Sequence, residues 1–103
     1  MNQRLAMLNQ LVAEGSTDPF HHYALANEYR KERRLEDAWQ AFRRLRETHP
    51  DYLPMYMMAG LLRAEMGELE EAREWFMAGI GVAQQKGDAK TAGELAEARA
   101  KAQ

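Results

Sequence analysis

A chain of 103 residues with a formal net charge of -2 is long enough for one modest hydrophobic core and too short for two. It has no cysteine, which excludes a disulfide framework and thiolate metal sites, and its nearly balanced charge supplies no field to draw nucleic acid or an anionic membrane. Ala, Leu, Glu, Arg, Gln and Met outnumber the β-branched residues, so helix is expected throughout.

The start, Met1-Asn2-Gln3-Arg4-Leu5, lacks the apolar run of a signal peptide, and no uncharged apolar stretch of about 18 residues occurs. The expected location is the cytoplasm. Leu5, Leu8, Leu11 and Val12 stand at helical spacing and predict a first helix over 3–14, stopped by Gly15. Asp18 is placed to cap a second helix that opens at Pro19, where a missing N–H does no harm. His22, Leu25, Ala26 and Tyr29 share one face of it. After a turn at Glu32-Arg33-Arg34, a third helix runs over 35–48 with Ala38, Trp39, Phe42 and Leu45 inward, and Pro50 ends the unit.

Pro54 opens a fourth helix with Tyr56, Ala59, Gly60 and either Leu62 or Met66 inward, closed by Gly67. The fifth begins near Glu68 and carries Leu69, Ala72, Phe76, Gly79, Ile80 and Ala83. No proline stops it; the break comes at Lys86-Gly87-Asp88, and a last helix over 89–101 offers Leu95 and alanines on a thin apolar face with Lys90, Glu94, Glu97 and Lys101 outside. Ala38 and Phe42 recur as Ala72 and Phe76, 34 residues on, and Leu35 recurs as Leu69. A fixed period marks stacked copies of one helical hairpin, none able to bury its apolar face alone.

These residues resemble the tetratricopeptide repeat (TPR) family, whose pattern reads W-x2-L-G-x2-Y, A-x3-F, P. The first unit supplies His22-x2-Leu25-Ala26-x2-Tyr29, Ala38-x3-Phe42 and Pro50. The second supplies Tyr56-x2-Ala59-Gly60-x2-Arg63 and Ala72-x3-Phe76. Departures are His22 and Tyr56 at the first aromatic, Arg63 for tyrosine, Gln84 for proline, and Arg33 where the second unit has Gly67. The resemblance covers about 19–84. It implies a single all-α domain over 1–103: a right-handed α-solenoid of two repeats, 19–50 and 53–85, flanked by the 3–14 helix and a capping helix over 89–101.

The resemblance also implies a concave groove, lined by the first helix of each hairpin, that holds a peptide or helix of a partner protein. The groove candidates are Phe20, Tyr23, Asn27, Arg30 and Lys31 on one such helix, and Met57, Leu61, Ala64 and Glu65 on the next. Thr91, Leu95 and Arg99 follow on the last helix. Asn27 is the sharpest, since an amide both donates to and accepts from a peptide backbone. Tyr23, Met57 and Leu61 have an alternative role as packing beneath the terminal helix. Some members hold the carboxylate end of heat-shock chaperones through a lysine one turn before the asparagine. Tyr23 stands there instead and Met57 and Met58 bring no charge, so that partner is not implied.

Cations crowd 30–46 and carboxylates crowd 65–74, which suits steering of a partner or pairing between copies, although such charges are commonly solvated. No catalytic residue, cofactor or metal is expected: His21 and His22 are neighbours on a helix and do not face each other, no Ser-His-Asp or Cys-His arrangement is visible, and Gly79-x-Gly81 lies within a helix. The expected function is a protein-interaction adaptor; the alternative is a structural self-associating homo-oligomer, a homodimer among the possibilities, with the groove or end helices buried between copies.

Overall fold

The structure, a computed structural model, describes residues 2–103. Within them the chain forms six helices and no strand, in two compact units, Met1–Pro50 and Asp51–Gln103. The all-α helical repeat expected from the sequence is therefore the fold observed. None of these helices is long and apolar enough to cross a membrane.

The first unit holds α1 (Gln3–Ala13), α2 (Pro19–Lys31) and α3 (Leu35–Thr48). Local chemistry sets its boundaries. Asn2 Oδ1 accepts the Leu5 N–H at 3.0 Å to cap α1, and Asp18 Oδ1 accepts the Phe20 N–H at 2.9 Å beside Pro19 to start α2. α2 packs on both α1 and α3. Leu5, Leu8, Leu25, Ala26, Tyr29, Ala38, Phe42 and Leu45 are buried, which fits the apolar stripes of the sequence.

The second unit holds α4 (Pro54–Glu65), α5 (Leu69–Gln85) and α6 (Ala89–Lys101), with α5 in the middle. Leu62, rather than Met66, is the fully buried residue of that pair. Two large buried residues escape the sequence pattern. Met55 is fully buried, and Trp75 is buried with its ring 5.8 Å from that of Tyr56. Both lie on the helical faces already identified, Met55 four residues before Ala59 and Trp75 four before Gly79.

Four helices end alike. After α1, α2, α4 and α5 the N–H of the third residue past the helix reaches back to a carbonyl five positions earlier: Ser16 to Leu11, Arg34 to Tyr29, Glu68 to Arg63 and Asp88 to Ala83, at 2.8 to 3.1 Å. That closure requires a left-handed residue just before the donor. Gly15, Gly67 and Gly87 supply it, but after α2 the residue is Arg33, at φ 60. A Cβ in that region costs about 1–2 kcal/mol. Arg33→Gly is therefore expected to raise stability by about 1 kcal/mol, read as a higher urea midpoint at unchanged slope.

The departures from the repeat pattern are absorbed locally. Arg63, where the first unit has Tyr29, reaches Glu71 on α5 at 2.9 Å and ties the hairpin with charge instead of a ring. His22 is half-buried and its Nε2 lies 2.8 Å from the Ser16 carbonyl oxygen. At the matching register in the second unit stands Tyr56, and it fits because the residue facing it is Gly79: a Cβ there would lie 2.6 Å from Tyr56 Cβ. The first unit has Leu45 at the register of Gly79.

α1 is fastened to α2 by a polar cluster that no sequence spacing announces. The Glu28 side chain is only 7% exposed and accepts from Asn2 Nδ2 at 3.0 Å, with Arg4 Nε at 3.0 Å and Lys31 Nζ at 3.4 Å. Asn2 also donates to Glu32 at 2.7 Å. The Asn2 hydrogen bond, then Lys31 and Arg4, hold the Glu28 carboxyl below its ordinary value against the opposing cost of burial. A lowered carboxylate pKa contributes stability that is complete above the unfolded-state value and is lost as pH falls through the folded-state value. Acidification below the usual carboxylate range should thus weaken the α1 contact. Melting curves against pH should show a smaller acid-dependent loss in Glu28→Gln than in the parent.

Candidate functional site

On α2, Phe20, Tyr23, Asn27 and Arg30 recur at spacings of three and four residues and so share one face. Phe20, in the first turn, is 51% exposed. Tyr23 is half-buried, with its ring edge-on to Phe42 at 6.4 Å and 63°, so it leans on the core while keeping part of its surface open. Asn27 is half-buried, and its Oδ1 is buried without a hydrogen-bond partner. Arg30 is half-buried and Lys31 exposed. The ammonium of Lys31 turns to Glu28, toward the cluster that holds α1.

On α4, Met57 is half-buried, Leu61 is 37% exposed and Glu65 is exposed. Leu61 and Ala64 form one wall of a cleft of about 280 Å³, with Phe76 beneath and Ala98, Lys101 and Ala102 of the α6 segment opposite. Of the last-helix candidates, Leu95 is fully buried and meets the backbone near Gly79, and Thr91 gives its N–H and hydroxyl to the Asp88 carboxylate at 3.0 and 2.7 Å. Those bonds hold the Asp88 carboxyl below its ordinary value. Arg99 is exposed.

A larger depression, about 680 Å³, lies in the first unit between α1 and the end of α2, lined by Asn2, Leu5, Ala6, Asn9, Glu32 and Arg34. Its polar groups are engaged with protein: Asn2 with Glu32, Arg34 with Asp37 at 2.9 Å, and Asn9 as acceptor for the Tyr29 hydroxyl at 3.0 Å. The Arg34 guanidinium also sits 4.7 Å from the centre of the Tyr29 ring.

The structure gathers one trio that sequence reading passed over. Ser16 Oγ lies 2.7 Å from His21 Nδ1, and His21 Nε2 lies 3.8 Å from Asp18 Oδ2. The resemblance to a nucleophile relay ends there. Ser16 Oγ accepts the Asp18 N–H at 3.2 Å, Asp18 caps α2, and the His21–Asp18 separation exceeds hydrogen-bonding range. The trio is the folded start of a helix. The signal was in the sequence, as three polar residues within six positions ahead of and inside the first turn.

No protein-family model matches the sequence, and no curated protein matches it. Solved structures do. A tetratricopeptide repeat domain protein from Salinibacter ruber matches in its solution NMR structure at 37% identity over 84% of this chain and 88% of that one, with a TM-score of 0.81. A crystal structure of a tetratricopeptide repeat domain protein from the same organism matches at 38% identity, covering 82% of this chain and 96% of that one, with a TM-score of 0.77. A protein from Bordetella parapertussis shares the fold at 20% identity, covering 99% of this chain and 89% of that one, with a TM-score of 0.82. The hairpin period, the alanine and phenylalanine seams and the identity to the Salinibacter proteins agree: this chain belongs to the tetratricopeptide repeat family.

Proposed function

We propose that the chain is a protein-interaction module without catalytic function, in which the open face of the first helix of each hairpin holds a segment of a partner protein. The observation that carries this reading is Asn27. Its Oδ1 is buried and unpaired on the face that also bears Phe20 and Tyr23, and a buried polar group left so costs about 1–3 kcal/mol. A half-turn of the Asn27 amide brings that oxygen to the open face, where a peptide N–H can donate to it. Phe20 and Tyr23 supply apolar contact beside it and Arg30 supplies charge, while in the second unit Met57, Leu61 and Glu65 stand on the first helix of their own hairpin.

Capture of proteins by the immobilised chain, compared with Asn27→Ala and Tyr23→Ala, tests the reading. The variants should lose a defined set of captured proteins, with the melting temperature of Asn27→Ala unchanged or raised because an unsatisfied oxygen is removed. An identical set from parent and variants overturns it. A tight dimer whose formation blocks capture assigns the surface to self-association.

A further inference from the structure

α4 and α6 both lean on α5 and touch each other only lightly, and the cleft between them stays open because α6 contributes alanines. Ala98 and Ala102, one turn apart, face Leu61 and Ala64 across the buried ring of Phe76. The position of Ala102 is fixed from α5, where Arg73 Nη1 donates to its carbonyl. At about 280 Å³ the space falls just under the usual small-molecule range, roughly 300–1,000 Å³, and suits one large side chain. Its rim is acidic. Glu94 is exposed with no ion-pair partner among the described residues, and Glu97, also at the rim, shares its charge with Lys101 at 3.3 Å. Acidic residues outnumber basic ones across the whole second unit.

From this complementarity we infer that the α4–α6 cleft takes a single leucine, methionine or phenylalanine from a basic partner segment, with lysine or arginine beside that side chain meeting Glu94 and Glu97. The inference rests on the interaction-module reading and names its partner. The apolar side chain replaces water over Leu61, Ala64 and Phe76, and the rim charges select the sequence around it. Because the rim is solvated, the preference weakens as salt rises.

A peptide array tests it, with one leucine set in lysine-rich, neutral and glutamate-rich backgrounds, probed with the parent chain and read again by fluorescence anisotropy. Lysine-rich peptides should bind best. Replacing their leucine with alanine should weaken binding about tenfold or more, Ala98→Trp should abolish it, and Glu94→Lys with Glu97→Lys should reverse the charge preference. Leu61→Ser serves as a second blocking variant, since an exposed side chain can be cut without unfolding the chain; it should weaken binding as well. A preference for acidic peptides, or binding indifferent to Ala98→Trp and Leu61→Ser, overturns this inference and leaves the module reading standing. Absence of peptide binding alongside intact Asn27-dependent capture does the same. Absence of both removes the module reading too. A dimer dissolved by Ala98→Trp would give the cleft to a second copy and overturn the basic partner.

Discussion

Replacing Phe76 with alanine is expected to cost about 3–5 kcal/mol, and Phe42→Ala the same, the range for deleting a buried aromatic ring from a packed core. Phe76 is 1% exposed and Phe42 is fully buried. The Phe76 ring lies so close to the backbone of α4 that a Cβ on Gly60 would run into it, so the ring itself fills the α4–α5 seam at that point. A chain of this size has about 5–15 kcal/mol of stability in total, so either variant should lose a large share of it and unfold at markedly lower urea. Urea denaturation followed by helical ellipticity is the measurement. An unchanged midpoint would mean that these two rings are not the centres of their hairpins.

The second large effect sets two glycines of one helix against each other. Gly79→Ala should destabilise by about 1–3 kcal/mol, the usual cost of forcing atoms into a filled seam. The new Cβ would lie 2.6 Å from Tyr56 Cβ and 3.0 Å from Leu95 Cδ1. The leucine tip can yield, but Tyr56 Cβ is fixed to the α4 backbone, so the helices themselves must separate. Gly81→Ala, two residues along α5, meets nothing within 4 Å and should stabilise by about 0.5–1 kcal/mol through helix propensity alone. Thermal melts of the two single variants give the signs directly. If both move the same way, the close packing of Tyr56 on Gly79 is not what positions α4 on α5.

Helix boundaries were legible in the sequence because they are settled within a few residues. Asp18-Pro19, Gly67 and Gly87-Asp88 each act on their own turn, and the ends of α2 and α3 fall where Arg33 and Pro50 place them. The strain at Arg33 was legible too, since the second copy has glycine at the same register. What escaped depends on distance along the chain. Glu28 and Asn2 are 26 residues apart, and no periodicity marks their meeting. By spacing alone Leu95 fits both an apolar face and an open surface; its contact beside Gly79 decides for burial, and that contact exists only because Gly79 lacks a side chain. The cleft beside Leu61 is a matter of how far apart α4 and α6 stand, which side-chain spacing does not encode.

Tyr56 over Gly79 in one hairpin, and His22 with Leu45 at the same two registers in the other, have an evolutionary consequence. Tyr56 and Gly79 fit each other, so a genetic crossover that joined the front of the second repeat to the back of the first would set the Leu45 side chain against Tyr56 and produce a collision. A breakpoint outside the hairpin keeps Tyr56 with Gly79 and avoids that collision. The heritable module is thus the intact helical pair.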